Sequence, residues 1–84
     1  MEKPFFVDVR SRQEFDSGTV VGAINIPLDQ VEENIDAFRD HGDIVVFCRS
    51  GARAEVAKGI LNAEGINNVV NGGSWQEVAR QLDK

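Results

Sequence analysis

The stretch Ile44-Val45-Val46-Phe47-Cys48-Arg49-Ser50-Gly51-Ala52-Arg53 decides how this chain is read. Four apolar residues, mostly β-branched or aromatic, predict a strand covered on both faces. A helix-like pattern follows from about Ala52 to Ala63, with Val56, Ala57, Ile60 and Leu61 as its stripe and Gly65 as its stop. Gly59 inside it costs about 1 kcal/mol relative to alanine. Cys48, the only cysteine, therefore stands at the C-terminal tip of a strand and just before a helix N-terminus.

That position favours a thiolate. A free thiol ionises near pH ~8.5, and a helix N-terminus and neighbouring guanidiniums lower that value. Backbone amides between Arg49 and Arg53 have no helical partner and can turn inward as an anion cradle. Gly51 permits a tight path whatever the sign of φ. Arg49 and Arg53 add permanent positive charge, although Arg53 could instead pair with Glu55 or another acid on its own helix. These features make Cys48 a candidate nucleophile, with Arg49, Ser50, Gly51, Ala52 and Arg53 as a candidate anion-binding loop.

Working outward, three more short β-like runs alternate with helix-like stretches: Phe5 to Val9, Ala23 to Ile26, and Val69-Val70. Ser11 and Glu14 read as the capping box of a short helix. Leu28, Val31, Ile35 and Phe38 recur at spacings of three, four and three and predict one amphipathic helix, its acids Glu32, Glu33 and Asp36 solvated. Asn71-Gly72-Gly73 reads as a turn, after which Ser74 caps a last helix burying Trp75, Val78, Ala79 and Leu82. The alternation implies an α/β fold: a parallel sheet with helices on its faces and a ligand site at the carboxyl ends of the strands. Asp8 stands at another such end. The structural reading favours it as a support, accepting bonds from loop amides or from Arg12. His41, in a turn with no ligand cluster, is not expected to be catalytic.

The chain of 84 residues reads as one domain, 1–84. One cysteine excludes an internal disulfide. Nine basic against 14 acidic residues, a net charge of −5, argue against a nucleic-acid partner. No apolar stretch reaches the ~18 residues of a membrane span, and no signal peptide is visible. No metal site, membrane partner or oligomer is expected.

Three segments together resemble the single-domain rhodanese family of sulfurtransferases. They are Val7-Asp8-Val9-Arg10 with Glu14-Phe15 and Gly22 to Pro27, the loop Cys48 to Ala54, and Asn71-Gly72-Gly73-Ser74-Trp75. The shortness and the run Gly22 to Leu28 are similar to the small phage-shock-protein-E type. The resemblance implies about four parallel strands, those of Asp8 and Cys48 adjacent in the middle, with helices on both faces. It also implies sulfur transfer from a thiosulfate-like anion through a Cys48 persulfide to cyanide or a thiol, on a thioredoxin-like protein for instance, without a cofactor. Thr19 stands where the family commonly has histidine, which implies a local structural change only. Cys48 to Arg53 is a Cys-x4-Arg loop, one residue shorter than the Cys-x5-Arg loop of cysteine phosphatases. Such a phosphatase, an arsenate reductase and a non-catalytic binding module are the alternatives. The compartment is open: an acidic, disulfide-free domain suits the cytoplasm, whereas the phage-shock type, its signal peptide removed, suits the periplasm.

Overall fold

The computed structural model describes residues 3–83. Four strands, β1 (Phe5–Asp8), β2 (Ile24–Asn25), β3 (Ile44–Cys48) and β4 (Val69–Ser74), form a parallel sheet in the order β2-β1-β3-β4. As expected, the strands ending in Asp8 and Cys48 are the central neighbours, with Asp8 opposite Phe47. Three α-helices accompany them: α1 (Arg12–Ser17), α2 (Ala52–Ala63) and α3 (Trp75–Leu82).

The period-2 alternation of the central strands feeds two cores. Ile44, Val46 and Cys48 of β3, with Val7 and Val9, pack beneath Ala54, Ala57 and Leu61 of α2 and beside Val31 and Phe38. Phe47, with Phe6 and Val45, faces Val20 and Val78 on the other side, where Trp75 and Ala79 of α3 close the layer. Both faces are covered, which is why β3 reads as an unbroken apolar run.

Four local expectations are corrected. The segment predicted as one helix from Leu28 to Phe38 is two 3-10 helices, Leu28–Gln30 and Glu32–Phe38, kinked at Asn34 with φ −118° and ψ 28°. A 3-10 helix has three residues per turn, so Leu28 and Val31 align, the kink takes up one residue, and Ile35 and Phe38 align again. The three-four-three spacing fits this arrangement as well as an α-helix. The Asn34 side chain donates to the Gln30 carbonyl at 2.8 Å and so competes with regular helix.

In α2 the stripe is turned: Ala54 is fully buried, whereas Val56 is 54% exposed. Two small residues, Ala54 and Ala57, let the first turns of α2 lie close on β3. The supposed turn Asn71-Gly72-Gly73 belongs to β4. A Cβ on Gly72 would lie 2.7 Å from Val78 Cγ2 and 2.9 Å from Val45 Cγ1, so glycine here sets the close approach of α3 to the sheet. Leu82 lines an open groove with Phe6 and Val20 and is half-exposed instead of entering the core.

Candidate functional site

Cys48 ends β3 and is buried, 1% exposed. The chain then turns back at Gly51, whose φ of +98° only glycine adopts freely, and enters α2. Gly51 is the N-cap of α2 and supplies no side-chain cap. The first-turn amides are thus left for the sulfur. The Gly51 N–H donates to Cys48 Sγ at 2.9 Å. Burial pushes the thiol pKa up, but hydrogen bonds from the amides of Ala54, Ser50, Gly51 and Arg53 outweigh it and bring the pKa below the ordinary thiol value. Among the described residues, the Gly51 N–H makes the hydrogen bond to the sulfur that meets ordinary distance and angle limits.

The two arginines, expected around one anion, lie apart. Arg49 is exposed and makes no ion pair with any described residue. It lines a cleft of about 330 Å³ with Arg10, Gln13, Glu14, Ser17, Trp75 and Gln76. Arg53 lines a separate hollow with Ser11, Pro27 and Leu28. Its guanidinium binds Glu14 of α1 in two prongs, Nη1 to Oε1 at 2.7 Å and Nη2 to Oε2 at 2.9 Å. Glu55, the acid proposed for Arg53 from sequence, instead accepts from Asn71 at 3.1 Å. The hydrogen bonds from Arg53 and the Ser11 amide hold the Glu14 pKa at about 2.

Asp8 lies one strand away on the opposite face and is fully buried. Its partner is Arg10, not the Arg12 suggested by the sequence. Arg10 Nη2 donates to Oδ2 at 2.7 Å, Nε donates to Oδ1 at 3.0 Å, and the Arg10 amide donates to Oδ1 at 2.9 Å. Arg12 pairs with Asp16 on the surface, as i and i+4 side chains of one helix do. Thr19 Oγ1 donates to Asp8 Oδ2 at 2.8 Å, and Arg10 donates to the Gly18 carbonyl at 2.6 Å. Asp8 thus anchors the loop after α1, and Thr19 contributes a single donor to that anchor. Arg10 also lies 5.4 Å from the Trp75 ring centroid. Trp75, expected in the core, is only half-buried and gives one edge to the Arg49 cleft. His41 stacks on Phe5 with ring centroids 3.8 Å apart, at the N-terminal ends of β1 and β3, whereas Asp8 and Cys48 stand at their C-terminal ends.

Sequence reasoning missed two residues here. From sequence Glu14 reads as part of a capping box, which it does form, and Asn71 as part of a turn; the family resemblance includes both residues but implies no role at the site for either. The Asn71 side chain donates to the Gly51 carbonyl at 2.9 Å and accepts from the Gly73 amide at 2.9 Å. A polar residue within an apolar strand, followed by two glycines, was the available signal. The larger cavity, about 580 Å³ between Phe6, Val20, Val21, Ala79 and Leu82, includes no residue of the Cys48 loop.

Residues 1–81 match the family model described as the Rhodanese-like domain. The chain is 40% identical over 76 residues to the thiosulfate sulfurtransferase PspE of Escherichia coli (strain K12), an overlap of 88% of this chain and 73% of that protein. It is 36% identical over 70 residues to a tRNA uridine(34) hydroxylase of Xanthomonas campestris pv. campestris (strain B100), covering 76% of this chain but 28% of the relative. The chain spans 35% of the YrkF protein of Bacillus subtilis (strain 168) and 25% of the tRNA uridine(34) hydroxylase of Salmonella arizonae (strain ATCC BAA-731 / CDC346-86 / RSK2980), so it matches only part of the length of several curated relatives. Among solved structures, a rhodanese with anions from E. coli superposes with a TM-score of 0.81 at 33% identity, covering 92% of this chain and 93% of the other.

Proposed function

The chain belongs to the rhodanese-like domain family, and we propose from this that it is a sulfurtransferase whose Cys48 carries the sulfur as a persulfide. The observation that carries the reading is the amide-lined sulfur: a buried Cys48 Sγ whose hydrogen bonds bring the thiol pKa below the ordinary value. The same donors that favour a thiolate favour a persulfide anion, which is larger but carries the same charge.

The donor in this reading is a small anion such as thiosulfate. Arg49, exposed and unpaired among the described residues, attracts it. The Cys48 thiolate attacks the outer sulfur. A bond forms between Sγ and that sulfur, the sulfur–sulfur bond of the donor breaks, and sulfite leaves with the electron pair. In the second step cyanide or an acceptor thiolate attacks the terminal sulfur, and the Cys48 thiolate is released. No electron enters or leaves overall, so neither step calls for a redox partner. An acceptor thiol on a thioredoxin-like protein suits the same chemistry.

A phosphatase reading loses its arginine. In a phosphate-binding loop the last guanidinium clamps the phosphate, but here the Arg53 guanidinium is held by both oxygens of Glu14. The test is thiocyanate formation from thiosulfate and cyanide. Wild-type protein should turn over and Cys48→Ser should not; turnover retained in Cys48→Ser, or hydrolysis of a phenyl phosphate lost with the cysteine, would overturn the reading.

A further inference from the structure

Gly51 presents a problem that the loop must solve. Its N–H donates to Cys48 Sγ at 2.9 Å, yet glycine at φ +98° has the least intrinsic preference for one orientation. No side chain caps α2 here. Something outside the loop must fix this residue.

Asn71 is placed to do so. From β4 its Nδ2 donates to the Gly51 carbonyl at 2.9 Å and to Glu55 Oε1 at 3.1 Å. The Gly51 carbonyl also accepts the first α-helical bond of α2, from the Glu55 amide at 3.0 Å. The carbonyl is thus held by two donors that are themselves joined through the Glu55 side chain. The amide cannot be turned over: Oδ1 accepts from the Gly73 N–H at 2.9 Å, which only an oxygen can do. The space is closed as well, since a Cβ on Gly51 would lie 3.4 Å from Gly73 Cα and 3.8 Å from the Asn71 amide.

We infer that Asn71 is a positioning residue for the reactive sulfur: it fixes Gly51 so that the N–H of that residue faces Cys48 Sγ, and so sets the acidity of the thiol and the hold on a persulfide. Asn71 touches no reacting atom; it acts through Gly51. The persulfide half rests on the sulfurtransferase reading above, whereas the thiol half does not.

The test is the pH dependence of alkylation by iodoacetamide in wild type, Asn71→Ala and Asn71→Asp. Asn71→Asp keeps the acceptor for Gly73 and loses the donor; Asn71→Ala loses both without adding charge. Both variants should shift the inflection of Cys48 upward and slow alkylation at neutral pH several-fold. A lowered melting temperature with an unchanged inflection would assign Asn71 to the fold alone and overturn the inference. Should neither variant fold, the wild type decides. The side-chain amide resonance of Asn71 should move with pH at the Cys48 inflection and lose that movement in Cys48→Ser; a resonance indifferent to Cys48 would overturn the inference. Alkylation needs no sulfur donor, so failure here and failure to turn over thiosulfate are separate results.

Discussion

Arg53 and Glu14, 39 positions apart in the chain, form a two-pronged ion pair of 2.7 and 2.9 Å that ties the first turn of α2 to α1. Arg53 belongs to the loop that surrounds Cys48, so the pair fixes that loop from one side while Asn71 holds it from the other.

The pair makes stability depend on pH. The Glu14 pKa is lowered, first by Arg53, from 4.5 to about 2, so the folded state binds its proton less readily than the unfolded one. The contribution is complete above about pH 4.5 and disappears as the pH falls towards about 2. Both side chains are about one-third exposed, which screens the pair to about 1 kcal/mol. Glu14→Gln keeps a capping-box acceptor and removes the charge. Urea unfolding should show it destabilised by that amount at pH 7, with the difference from wild type closing in acid.

The two arginines should separate in kinetics. Arg49 faces the cleft and Arg53 faces Glu14. Arg49→Ala should raise the KM for thiosulfate by about tenfold, the loss of one charge-assisted contact, and spare kcat. The effect should shrink as salt screens the charge. Arg53→Ala should act on stability and on kcat, through the loop. Steady-state thiocyanate assays at two ionic strengths distinguish them.

Gly51→Ala places a side chain on a residue with φ +98°. The left-handed conformation costs about 1–2 kcal/mol for any L-residue. Relief by rotation would swing the N–H away from the sulfur. Denaturant unfolding should therefore show a loss of that size, and the thiosulfate assay a lower kcat.

Gly59 is the opposite case. It lies inside α2, exposed, and an added Cβ would meet no other atom within 4 Å. Gly59→Ala should stabilise the protein by about 0.5–1 kcal/mol through helix propensity and reduced unfolded-state freedom, with sulfur transfer unchanged. Thermal unfolding and the same assay check both halves.

Much of this was legible in the sequence because strong local signals agreed. The apolar run Ile44 to Phe47 marked a central strand, Ser11 and Ser74 marked helix starts, and Cys48 fell at a strand end where ligands bind. Errors arose where one pattern fits two geometries. The three-four-three spacing from Leu28 to Phe38 suits an α-helix and a kinked pair of 3-10 turns alike. Ala54 and Val56 could each head the stripe of α2, and only close packing on β3 favours the smaller residue. The partners of Arg53 and Gly51 were not legible, because Glu14 and Asn71 lie 39 and 20 positions away and meet them only through chain folding, whereas Arg10, two positions from Asp8, was within reach of a spacing argument that the choice of Arg12 overlooked.

The central claim is that Cys48 itself receives the sulfur. Its most direct test is the intact mass of the protein after incubation with thiosulfate and removal of excess donor. Wild type should gain one sulfur atom, lose it on addition of cyanide, and gain none as Cys48→Ser. A wild type that gains no mass, or a Cys48→Ser variant that gains as much, would contradict the account.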